Sequence, residues 1–186
     1  VPPKETFPNF ESRYEATGFS PKELARALIE CVRHYAVISG QEADENADVT
    51  QALVGLNVLE SSTTYPLLLA LFEGRSAGEI DSAQLAQCIQ MLRGFILRRF
   101  VCGESSRGYG QMFVRALAKD NGGPINTLEA YLLDRGWPDD HQFEAAFVEF
   151  PLYQRGYTRE VLEPLERARG HKEPADLLCA AALCRV

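Results

Sequence analysis

The spacing of four apolar residues constrains the middle of this chain more than any other feature. Leu85, Ile89, Leu92 and Ile96 recur at steps of four, three and four behind Asp81-Ser82-Ala83-Gln84. Such steps return side chains to one face of an α-helix, whereas alternate residues of a strand point to opposite faces. The tetrapeptide supplies the helix start. An Asp side chain accepts from the third helical N–H, and Gln reaches back to the capping backbone. The spacing predicts a helix from Ser82 to about Phe100, the longest in the chain.

The same grammar recurs on both sides. Ser20-Pro21-Lys22-Glu23 combines a capping Ser, a Pro at the first helical position and a Glu three residues after the cap. Leu24, Leu28, Cys31, Val32, Tyr35 and Ile38 follow at helical spacing, and Gly40 supplies the stop. After the acidic loop 41–46, Asp48 is the expected cap of a helix whose buried stripe is Val49, Leu53, Leu56 and Leu59. Thr64-Tyr65-Pro66 opens a third helix. Its Leu67–Phe72 run is apolar nearly all round, which predicts an enclosed position, and Gly74 and Gly78 loosen its end.

Beyond the loop Gly103–Gly108, Met112, Phe113, Ala116 and Leu117 predict a short helix that ends at Asn121-Gly122-Gly123-Pro124. Asn126 with Glu129 is the expected start of the next, which carries Leu128, Tyr131 and Leu132 and ends at Gly136. Trp137-Pro138-Asp139-Asp140 reads as a turn and cap for Phe143–Phe150, closed by Pro151. A last helix is expected over Thr158–Arg169, kinked at Pro164. No segment alternates with period two, and no solenoid repeat is evident. The expectation is an all-α, irregular multi-helix bundle of about seven or eight helices. Its expected parts are an N-terminal subdomain over 1–121, a C-terminal subdomain over 124–174 and a tail over 175–186.

Hydrophobic residues make up 46% of the 186 residues, enough for a real core. The longest apolar runs, Leu67–Phe72 and Leu177–Cys184, fall far short of the roughly 20 residues that cross a bilayer, so no membrane partner is expected. Val1-Pro2-Pro3-Lys4-Glu5 has no signal pattern and no starting Met, which is read as a processed or excised end. The five cysteines include no C-x-x-C pair, and His34, His141 and His171 are far apart. Neither a metal nor a cofactor is expected, and the thiols suit a reducing bacterial cytoplasm.

Catalytic spacing is equally absent. The loop Gly103–Gly110 has Tyr109 where a phosphate-binding loop has Lys. Asp139-Asp140 suits a helix cap better than an acid–base pair. Neither G-x-S-x-G nor H-E-x-x-H occurs, which leaves only a Ser–His or Cys–His pair assembled in space. Charge gives a sharper lead. The net charge is −7, yet between Arg93 and Lys119 the only acid is Glu104, against Arg93, Arg98, Arg99, Arg107, Arg115 and Lys119. These six are the candidate nucleic-acid contacts. The competing readings are a solvated face, or an Arg98–Arg99 pair that anchors the interface between the two subdomains.

Several blocks, in order, resemble one family. They are Tyr65–Phe72 with Gly78-Glu79-Ile80, Leu97–Gly103 with Phe113 and Leu117, and Trp137–Asp140 through Phe143. Pro151-Leu152-Tyr153, Leu162–Glu166 and Lys172-Glu173-Pro174 follow. From about Ser20 to Pro174 the chain is similar to the helical middle of GmrSD-like type IV restriction proteins, bacterial enzymes that attack modified foreign DNA. The resemblance implies a nucleotide-hydrolysing domain with D-G-Q-Q-R on one side and an HNH-type nuclease on the other. Neither motif is present, so the family's catalytic residues have no counterpart here, and the tail after Pro174 reads as a truncated, frame-shifted or engineered end. The expected role is a non-catalytic helical linker of a restriction-type protein, whose partners are DNA and the parent protein's other domains. The alternative is a self-contained interaction or dimerisation module, with the apolar tail docking a partner or a second copy.

Overall fold

A computed structural model describes residues 18–118 and 122–149, with residues 8, 10–12 and 14–16 ahead of them. Lys119, Pro151, the helix expected over Thr158–Arg169, His171 and the tail with Cys179 and Cys184 lie outside the described residues. The described chain is all-α and holds no strand. Among the described residues, 8, 10–12 and 14–16 are helical, and seven further α-helices follow: α1 Pro21–Ile38, α2 Ala47–Asn57, α3 Tyr65–Ser76, α4 Ser82–Val101, α5 Tyr109–Val114, α6 Pro124–Asp134 and α7 Asp140–Glu149. A 3-10 turn, Ser62–Thr64, leads into α3.

The helix starts are set by local chemistry. Ser20 and Glu23 form a reciprocal capping box on α1, and Asp81 and Gln84 form another on α4. Asp139 and Gln142 exchange the same pair of bonds at the head of α7, which fixes Asp139 in a capping role. Two expected starts are displaced. Asn46, not Asp48, caps α2, because its Oδ1 accepts from the N–H groups of both Asp48 and Val49. Asp48 instead sits in the first turn, where its charge still favours the helix N-terminus. Likewise α6 begins at Pro124 rather than Asn126, whose side-chain amide donates back to the Gly122 carbonyl.

The core is organised on α4. Leu85, Ile89, Leu92 and Ile96 are buried as their spacing requires, joined by Cys88 and Phe95. Against them α2 lays Val49, Ala52, Leu53 and Leu56, and α6 lays Leu128 and Leu132, in one continuous hydrophobic cluster. Leu67, Leu68, Leu71 and Phe72 of α3 are buried in it too. At the C-terminal half of α4, Phe95 sits amid Tyr109, Phe113 and Trp137, with ring centroids 6.1, 6.4 and 6.1 Å away. The α6–α7 turn is thereby closed onto α4 by aromatic contact.

Helix α1 departs from the simplest reading of its apolar spacing. Ile38 is its only buried residue. His34 packs on Phe72, and Tyr35 meets the edge of Tyr65, but Leu28, Ile29, Val32 and Tyr35 stay exposed.

Candidate nucleic-acid interface

The structure sorts the expected basic residues into two groups according to what their guanidinium groups touch. Arg99 is a strut. Its Nε donates to the Tyr109 hydroxyl at 3.2 Å, one terminal nitrogen to the carbonyls of Arg135 and Gly136 at 2.9 and 3.0 Å, and the other to Glu104 and the Ser105 carbonyl at 3.4 Å each. All five donors of a guanidinium are therefore engaged. The group also lies over the rings of Phe95 and Tyr109. It meets the carbonyl end of α6, where a helix dipole favours a cation. Gly136 makes room for it: with φ +79°, a Cβ there would sit 3.3 Å from the Arg99 guanidinium nitrogen.

Arg98 performs a related task one residue earlier. It donates to the Pro138 carbonyl at 3.0 Å, pairs with Asp140, and stacks over Phe143 of α7. Arg93 crosses the α2–α4 contact, where a Cβ on Gly55 would lie 2.9 Å from its guanidinium. Its buried Nε has no hydrogen-bond partner among the described residues. These three arginines are turned toward the protein.

Arg107 and Arg115 belong to the second group. Both are exposed, and among the described residues neither makes an ion pair. They line a hollow of about 240 Å³ with Arg99 at its wall, Tyr109, Tyr131 and a further cation, Arg135. An adjoining hollow of about 380 Å³ shares Arg115, Tyr131 and Arg135. Lys119, the last of the basic run, lies outside the described residues.

Arg135 was not legible as a member of this set, because it stands beyond the basic run and reaches it only through the packing of α6 on α5. Its placement is well supported. The Tyr131 hydroxyl donates to the Met112 carbonyl at 2.8 Å, and the Arg135 guanidinium rests over the Tyr131 ring at 5.0 Å. Asp134 approaches Arg135 only to 3.8 Å, an exposed pairing of little strength. Burial raises the proton affinity of Tyr109, against the opposing effect of Arg99, so its hydroxyl stays neutral. The hollow thus presents three partly or wholly uncommitted guanidinium groups and two phenol rings. Guanidinium forks match phosphate oxygens, and aromatic faces suit a base or sugar.

One Ser–His pair does assemble in space, as spacing alone left open. The His34 Nε2 lies 3.3 Å from the Ser76 hydroxyl. Its buried Nδ1, however, has no partner among the described residues, whereas a histidine that activates a serine has that nitrogen held by an acceptor. The nearby carboxylate of Asp44 is committed elsewhere. It takes both terminal nitrogens of Arg75, at 2.9 and 2.8 Å, and the Asn46 N–H. Among the described residues no group of three or more His, Cys, Asp or Glu is placed to hold a metal. No described helix is long and apolar enough to cross a membrane.

No family model, curated protein or solved structure matches the chain. None of the three comparisons links the chain to the restriction proteins.

Proposed function

We propose that this chain is a non-catalytic helical scaffold that contacts nucleic-acid phosphates through Arg107, Arg115 and Arg135. The observation that carries the reading is the convergence of these three arginines on one hollow, from a loop, the end of α5 and the end of α6. Phosphate contacts from guanidinium groups are insensitive to sequence, and they release counterions from the nucleic acid. The net charge of −7 opposes non-specific coating and confines contact to this face. The test is binding to a short labelled duplex at low and high salt, with wild type beside Arg107→Glu/Arg115→Glu. The reading expects binding that salt weakens and the double substitution abolishes.

The wider setting is a proposal of the same standing: a linker between the nucleotide-hydrolysing and nuclease parts of a restriction-type protein in a bacterial cytoplasm. The ordered blocks support it. The reading frame on either side of this segment tests it, through a D-G-Q-Q-R motif upstream and an HNH pattern downstream.

A further inference from the structure

The two hollows beside α5 and α6 differ in chemistry. The smaller, of about 240 Å³, is bordered by Arg99, Arg107, Arg115 and Arg135, and no acid among the described residues lines it. The larger, of about 380 Å³, shares Arg115 and Arg135 but is walled by Ala116, Ala118 and Ala130, with Asp134 as the one acid among its described residues. Small ligands occupy pockets of roughly 300–1,000 Å³. Each hollow alone lies near the lower end of that range, and the two joined fall well inside it.

Arg115, Tyr131 and Arg135 are common to both. The Tyr131 ring carries the Arg135 guanidinium at 5.0 Å, and the Arg135 side chain stays 48% exposed. The Tyr131 hydroxyl is tied to the Met112 carbonyl, which fixes this platform to α5. A guanidinium offers its N–H edge to a phosphate and its plane to a ring. Unstacked bases lie on Arg planes as they do on aromatic rings. The charges then give the pair of hollows an order. Phosphate favours the smaller one, which holds arginines and no acid. A carboxylate such as Asp134 only accepts hydrogen bonds, so it repels phosphate and suits a base amino group or a sugar hydroxyl. The alanine walls leave apolar room for a ring. A base within a duplex has both faces covered by its neighbours and cannot enter. A duplex therefore meets the smaller hollow with its phosphates and leaves the larger one empty, whereas an unpaired nucleotide fills both.

We infer that the joined hollows take one nucleotide of an unpaired strand, with its phosphate among Arg107, Arg115 and Arg135 and its base in the larger hollow on the Arg135 guanidinium. The inference rests on the phosphate contacts proposed above, and it adds the strand form that the site prefers.

Binding of a short labelled strand to the full chain, alone and annealed to its complement, tests it. The duplex carries the denser charge, so charge alone favours the duplex. The inference expects the reverse, with the single strand bound about tenfold tighter, which is the worth of one stacked base. Ala130 and Ala118 are exposed, so Ala130→Phe and Ala118→Phe fill the larger hollow with helical circular dichroism unchanged, and each removes the preference. A strand of sugar and phosphate without bases loses it too. A duplex bound as tightly as the single strand overturns the inference and leaves the phosphate contacts standing. So does a preference that survives both Phe substitutions. Adenosine monophosphate bound as tightly as the strand assigns the site to a free nucleotide, and also overturns it. Absence of salt-sensitive binding by either form removes the phosphate contacts themselves, and the inference with them.

Discussion

The guanidinium of Arg99 donates to the carbonyl oxygen of Arg135 at 2.9 Å, across 36 residues of chain. This single contact divides the basic residues of the protein. The arginine that donates is spent on holding α6 to α4, and the one that accepts through its backbone is left with its side chain over Tyr131 and open to solvent. A residue count of positive charge does not distinguish these roles, but stability and binding measurements do.

Arg99→Ala is expected to cost about 2 kcal/mol, because it removes the part-buried bond to Tyr109, four more exposed bonds that tie α6 and the following loop to α4, and the packing of the guanidinium over Phe95 and Tyr109. Arg99→Lys recovers less than half of this, since an ammonium cannot reach acceptors spread across a planar fork. Arg107→Ala and Arg115→Ala stay within about 0.5 kcal/mol of wild type, as exposed side chains without partners do. Urea unfolding followed by circular dichroism reads all four.

Phe95→Ala is expected to destabilise by roughly 3–5 kcal/mol, through lost burial and a cavity between three aromatic rings. Trp137 is the only tryptophan in the chain and packs edge-on against Phe95. Its fluorescence therefore shifts to longer wavelength in the folded variant if the cavity admits water. An unshifted spectrum and a loss under about 1 kcal/mol would place Phe95 outside the core.

Acid sensitivity is expected at Asp44, whose side chain is 3% exposed. Burial pushes its carboxyl up, but the hydrogen bonds and charge of Arg75 and the Asn46 N–H outweigh that and hold it below the ordinary carboxylate value. A carboxyl lowered on folding contributes stability that is present above its unfolded value, near about pH 4, and lost as pH falls through the lower folded value. Asp44→Asn should therefore be less stable than wild type by about 3 kcal/mol at neutral pH, with a flatter acid limb below roughly pH 4. Thermal unfolding across pH tests both parts.

The thiol of Cys88 is fully buried, and burial pushes it up to about 11. It should resist a disulfide reagent at mildly alkaline pH while the protein is folded, and react once urea unfolds the chain. Comparison of wild type with Cys88→Ala counts this thiol directly. Equal numbers of fast-reacting thiols in the two folded proteins are expected. One fewer in the variant would mean that Cys88 is open.

What the sequence reveals depends on how local the determining contacts are. The capping boxes at Ser20 and Asp81 close over three residues, so they are visible in the sequence, as is the buried stripe of α4. Asn46 and Asp48 show the limit of that reading. Both are good caps by type, and only the backbone turn around Asp44 decides between them. The set of arginines around the hollow is less accessible still, because Arg135 joins Arg107 and Arg115 through contacts that no window of sequence contains. On α1, periodicity identifies a helix but not how much of its apolar stripe is covered, and Leu28 and Val32 stay out of the core.

The most direct test of the division among the arginines is the salt dependence of duplex binding by folded protein. For each phosphate neutralised, the logarithm of the binding constant falls with that of salt by a slope of about 0.9. Wild type should show a slope of roughly 2–3, and Arg107→Ala and Arg135→Ala should each lower it by about 1. Arg98→Ala should leave the slope unchanged while it lowers the unfolding midpoint. Salt-independent binding by wild type, or an unaltered slope in Arg107→Ala/Arg115→Ala/Arg135→Ala, would contradict the account.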